Sequence, residues 1–147
     1  MHETLFGLIN ASVLPAWAAL LLAPRWRHTQ ALAVTVTVAL VSCAYVALVA
    51  YALVSDQGAE GVDFTTMAGV AAIFSAPLGV LAGWAHYLAF DLFVGAWIVR
   101  DARARGIPHR LAVPAIALCF LAGPAGYLLH RIVRTIAARR GKRQVKV

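Results

Sequence analysis

Apolar positions in this chain gather into long runs. Leu5 to Ala23, Ala31 to Val54 and Leu78 to Val99 are each close to, or longer than, the roughly 20 residues that cross about 30 Å of hydrocarbon. A fourth run, Leu111 to Leu129, is interrupted by Pro114 and by Gly123-Pro124-Ala125-Gly126. Such breaks are tolerated in membrane helices where neighbours satisfy the freed backbone groups. The pattern predicts an all-α membrane protein, a four-helix transmembrane bundle forming one domain over residues 1–147. Its helices are expected at about 4–23, 31–54, 78–100 and 110–130, followed by a basic tail at 131–147.

The stretch Phe64 to Val99 is nearly all apolar and would make a helix about 54 Å long, too long for one crossing. Pro77 removes an amide donor and disfavours a helical Ala76, so a break is expected at Ser75-Ala76-Pro77. The piece ahead of it, 64–76, is too short to span and is expected to lie in the interface or re-enter before the third helix.

Composition confirms the class. Hydrophobic residues make up 62% of the chain, where soluble domains sit near about 45–50%, and the mean hydropathy is +0.79. The first run lacks a basic leader, since it opens Met1-His2-Glu3-Thr4, and no small-x-small cleavage site precedes Arg25, so it is expected to stay in the mature protein. Cys43 and Cys119 fall inside apolar runs and read as small buried hydrophobes. No metal-binding motif, phosphate loop or internal repeat is present.

A net charge of +7 would suit nucleic acid, but the basic residues sit just outside apolar runs. Arg25 and Arg27 follow the first run, Arg100, Arg103, Arg105 and Arg110 lie between the third and fourth, and the rest occupy the tail from Arg131. Asp56, Glu60 and Asp63 fill the second loop instead. This distribution points to membrane lipids as partners and not to nucleic acid. It also creates a conflict, because four crossings put the two basic loops on one side and the basic tail on the other. A dip and return at Gly123-Pro124-Ala125-Gly126, leaving Leu128 to Arg140 as an amphipathic interfacial helix, would remove it.

The chemistry concentrates in the third run. An Asp at the centre of a spanning helix costs roughly 2.5–3.5 kcal/mol on insertion scales and nearly always faces a partner, a cavity or a substrate. Asp91 is that residue, with Tyr87 and Trp84 one and two turns away on a Trp84, Tyr87, Asp91, Gly95 stripe. His86, Phe90, Phe93 and Trp97 form the opposite stripe. His86 and Asp91 are five residues apart, about 140° around the helix, and could meet only by converging on a bound molecule. The structural alternative has Asp91 bonded to Tyr45, Tyr51 or Asn10 as interhelical glue, with His86 a neutral core residue.

At these residues the chain resembles a known family. Leu5-Phe6, Asn10, Val13-Leu14-Pro15-x-Trp17, Ala23-Pro24-Arg25-Trp26, the block from Gly83 to Asp101, and Gly123-Pro124 are similar to the plant neoxanthin-synthase family, named after abscisic-acid-deficient mutants and including bacterial proteins of unknown function. Plant members are plastid membrane proteins needed to convert violaxanthin to neoxanthin. Without a transit peptide in this chain, the resemblance implies a multi-pass protein of a bacterial inner membrane.

The resemblance implies an isomerase acting on a carotenoid or related terpenoid, an apolar small-molecule ligand, by opening an epoxide to an allenic alcohol. That reaction is redox-neutral and needs an acid at the oxygen and a base at a polyene carbon, with no cofactor in principle. Low-dielectric surroundings disfavour charge, which suits Asp91 to the acid and His86 to the base, with the roles exchangeable and Tyr87 as a third catalytic group. Trp84, Phe90, Phe93, Trp97, Asn10 and Trp17 are the expected substrate-binding residues. A non-catalytic carotenoid- or lipid-binding or accessory protein would use the same pocket. A small proton-linked transporter would use the same Asp, as an oligomer around a pore.

Overall fold

The computed structural model describes residues 1–55 and 57–144, with side chains through Arg139; Asp56 and the remainder of the basic tail lie outside the described residues. All regular elements among the described residues are helical. Helix α1 spans His2–Leu22, α2 Ala31–Val54, α3 Met67–Ile73, α4 Pro77–Ala104, α5 His109–Leu121 and α6 Gly123–Gln144. Among the described residues, α1, α2 and α4 are the helices long and apolar enough to cross a membrane.

The third run breaks where proline chemistry requires. Ala76 is extended (φ −103°, ψ 141°) and Pro77 opens α4, where its missing N–H costs no helical bond. The short element at 64–76 is the seven-residue α3, started by Thr66, whose hydroxyl accepts from the Gly69 amide at 3.0 Å. Ahead of it, the Thr65 backbone N–H and hydroxyl donate to Asp63 and hold that exposed carboxyl below the usual carboxylate range. Helix α3 is largely exposed beside the start of α4.

Helix α4 is the axis of the protein. Leu81, Ala85, Leu88, Leu92, Ala96 and Val99 are buried along it, and α1, α2, α5 and α6 pack around it. Small residues permit the close approaches, as membrane interfaces require: a Cβ on Gly95 would lie 2.7 Å from the Trp17 ring of α1. Helix α2 starts with π-helical winding over Ala31–Val38. It is tied to α4 by Gln30, whose amide donates to the Ala96 carbonyl at 3.1 Å.

The expected fourth crossing is not one helix. Residues 109–130 form two, because Ala122 is extended (φ −162°, ψ 93°) and Gly123-Pro124 starts a new helix. Helix α5 starts at the C-terminal ends of α1 and α4, where His109 Nε2 donates to the Leu21 carbonyl at 2.9 Å. It reaches Tyr87 and Asp91, halfway along α4, through the Tyr87 hydroxyl on the Leu121 carbonyl and the Cys119 thiol on the Asp91 carbonyl. Helix α6 then runs back, so that His130 lies 3.0 Å from Asp101, three residues before the end of α4. Gly126 lets α6 lie on α5, since a Cβ there would be 2.5 Å from that of Cys119. At about 20 Å, α5 is too short to cross about 30 Å of hydrocarbon. A run of apolar residues long enough for one crossing is folded into a hairpin that starts and returns at the same end of α4.

That correction resolves the charge conflict. Arg25 and Arg27, the arginines around the α4–α5 turn, and Arg131 and Arg134 of the returning α6 share one end of the molecule. Glu3, Glu60 and Asp63 belong to the opposite end, where Met1, His2, Tyr51 and Leu78 border one cleft.

Candidate functional site

Asp91 is 6% exposed, in the middle of α4, and faces the hairpin tip and not the outside. Its carboxyl lies against the backbone amide of Gly123 and within reach of the Tyr87 hydroxyl. A Cβ at Gly123 would collide with Oδ1. Oδ2 is buried with no hydrogen-bond partner. Every ion pair among the described residues belongs to Asp101, so none offsets a charge on Asp91. A carboxyl so placed sits over the unpaired amides of a helix N-terminus, a favourable setting for an acceptor.

The aromatic stripe N-terminal to Asp91 forms a wall. Trp84 stacks on Tyr87 with ring centroids 5.1 Å apart, Phe6 of α1 leans on Trp84 at 5.8 Å, and Trp84 Nε1 donates to Asn10 Oδ1 at 3.1 Å. Asn10, Leu14, Trp84, Tyr87, Phe120 and Leu121 border a cavity of about 210 Å³. Buried Trp17 meets Phe120 edge-on at 5.3 Å and closes the packing below it. Asn10, Trp84 and Tyr87 thus border this cavity, whereas Trp17 and Asp91 do not line it. The partners expected for a structural Asp91 differ: its neighbours are Tyr87 and Gly123, not Tyr45, Tyr51 or Asn10.

His86 does not join them. It is exposed on another face of α4, with its ring 4.6 Å from Phe90 and 5.5 Å from Tyr45 of α2. Phe90 and Phe93 are also exposed, 59% and 43%, and point away from the cavity. Trp97 packs at 5.4 Å on Tyr127 and edge-on at 5.5 Å on His130. The 140° between His86 and Asp91 is expressed as two separate environments, since a straight helix cannot turn both side chains to one point.

Two further features are not evident from the sequence pattern. Fully buried His130 bonds Asp101 Oδ2, while Arg105 Nε at 2.9 Å and Arg134 Nη1 at 3.6 Å hold Oδ1. The i,i+4 spacing of Asp101 and Arg105 carries part of that signal; His130 depends on the return of α6. A cleft of about 460 Å³ with a largely apolar lining lies between α1 and α2 and does not include Asp91. Among the described residues no three His, Cys, Asp or Glu side chains gather as metal ligands would.

No curated protein and no solved structure matches the chain. A family model does, over residues 4–130, which include Tyr87, Asp91 and Gly123. The chain belongs to the ABA4-like family, described as ABA DEFICIENT 4-like, the family that its third apolar run resembles.

Proposed function

We propose that this membrane protein is an isomerase of a carotenoid or related terpenoid, opening an epoxide by proton transfer from Asp91. The observation that carries the reading is the buried Asp91 Oδ2, unpartnered at mid-helix beside the Trp84–Tyr87 stack. Oδ2 has no hydrogen-bond partner in the protein, so a proton carried there is free for a substrate oxygen. The epoxide C–O bond breaks with its electron pair left on oxygen, which takes the Asp91 proton. The C–H bond of the adjacent polyene carbon breaks to form the new double bond, and its proton returns to the carboxylate. Atoms and electrons balance within substrate and enzyme. The Tyr87 hydroxyl, within reach of the same carboxyl, positions it. His86 has no place in this scheme, because it faces another environment.

A second reading has its own support. Asp91 lies on the first amide of α6, as a capping carboxylate does, so the same residue would serve a non-catalytic carotenoid- or lipid-binding protein by holding the hairpin in place. Expression in a carotenoid-producing host separates the two. A new isomer in the extracted pigments supports the enzyme, whereas an unchanged pigment co-purifying with the protein supports the binder.

A further inference from the structure

We propose that the cleft between the α1–α2 turn and the α4–α5 turn binds a phosphate ester, held by Arg25, Arg103 and the N-terminus of α5. The cleft measures about 380 Å³ and is bordered by Pro24, Arg25, Arg103, Gly106, Pro108 and His109, over a floor of buried Val99 and Ala102.

Four independent observations converge on an anion. No carboxylate borders the cleft. Asp101, the acidic residue at this end, is occupied by Arg105, His130 and Arg134. Arg25 has no ion-pair partner among the described residues, and Arg103 spends one donor on the Pro24 carbonyl at 3.0 Å. That bond fixes the guanidinium at the rim and leaves its other N–H groups for a ligand. Helix α5 opens beside it with no side-chain cap and no acidic residue in its first turn, so the positive end of its dipole has no acidic side chain to offset it, although the Leu111 amide donates to the Pro108 carbonyl at 2.9 Å. His109, which bonds the Leu21 carbonyl, anchors that helix start against α1.

A phosphate group suits this set better than a carboxylate, because it offers three or four acceptor oxygens to two guanidinium groups and a helix N-terminus. The cleft lies at the ends of α1 and α4, the level of lipid head groups, so the ester is carried either by a phospholipid or by a soluble metabolite with the same group.

The test uses the full chain in detergent, with thermal unfolding followed by tryptophan fluorescence. Phosphatidic acid, phosphatidylcholine and inorganic phosphate are titrated separately. Ligands that bind only the folded state raise the melting temperature saturably. Phosphatidic acid is expected to do so, with Arg25→Gln and Arg103→Lys each weakening the apparent affinity about tenfold and Arg131→Gln, at an exposed arginine of α6 that does not border the cleft, changing it less than twofold. Arg25→Gln should keep the unliganded melting temperature, because that side chain is exposed. Saturation by inorganic phosphate with the same arginine dependence assigns a soluble ester, and its absence assigns the lipid. The proposal is overturned if neither probe shifts the melting temperature. It is equally overturned if Arg25→Gln and Arg103→Lys leave the shift intact, or if Arg131→Gln removes as much of it.

Discussion

Gly123 has no side chain where Asp91 has its carboxyl: a methyl group at 123 would occupy the position of Oδ1. Gly123→Ala should therefore push Asp91 aside and destabilise the protein by about 1–3 kcal/mol, the usual cost of overpacking. In an Asp91→Ala background the same change should cost much less, because the obstacle is gone. A double-mutant cycle on unfolding in detergent measures the coupling, and equal costs in both backgrounds would place the two residues apart.

Conversion in a carotenoid-producing host should separate Asp91 from His86. Asp91→Asn keeps the shape of the side chain but cannot exchange a proton near neutral pH, so conversion should fall on the order of 10²–10⁴-fold at similar protein yield. Tyr87→Phe should lower it less. His86→Gln should leave it within a few-fold, since His86 packs on Tyr45 and Phe90. A fully active, well-folded Asp91→Asn protein removes Asp91 from the chemistry and favours its capping role.

The hairpin makes a prediction about sidedness. In a Cys43→Ala background, with Cys119 buried, Arg27→Cys and Thr135→Cys should react with an impermeant thiol reagent from the same side of the membrane. Glu60→Cys should react from the other. Four crossings would put 27 and 135 on opposite sides, so their labelling decides between the two topologies.

At the basic end, Asp101 serves three partners of unequal burial. Asp101→Asn takes the carboxylate hydrogen-bond partner from buried His130 and should cost about 1–3 kcal/mol of stability. Arg105→Gln removes only a half-exposed i,i+4 pair and should cost a few tenths of that scale. Thermal unfolding of the two variants gives the ranking, and equal effects would show that His130 does not depend on Asp101.

The three helices long and apolar enough to cross a membrane were legible in the sequence, because hydropathy and run length mark such helices without reference to their partners. Pro77 was legible for a stereochemical reason that holds in any surroundings. The last apolar run was not, because run length is blind to direction: α5 and the start of α6 together use as many apolar residues as one crossing. What betrayed the hairpin was the conflict of charges together with Gly123-Pro124. At the site, the helical 3–4 spacing gave the Trp84, Tyr87, Asp91 stripe and Gly95. It could not give Gly123 or Leu121, which arrive by folding from more than thirty residues away. His86 was drawn in by residue type, although its angle on the helix already set it apart.

The hairpin also dictates an order of assembly. Its tip ends at the depth of Asp91, where the last carbonyls of α5 and the first amides of α6 have no water to turn to, and the partners that meet them, Tyr87 and Asp91, belong to α4. Neither arm is a stable passenger in hydrocarbon alone, so the C-terminal third can settle only onto a bundle whose central helix is already in place. The group proposed to handle protons is, on that account, also the group that receives the last piece of the chain.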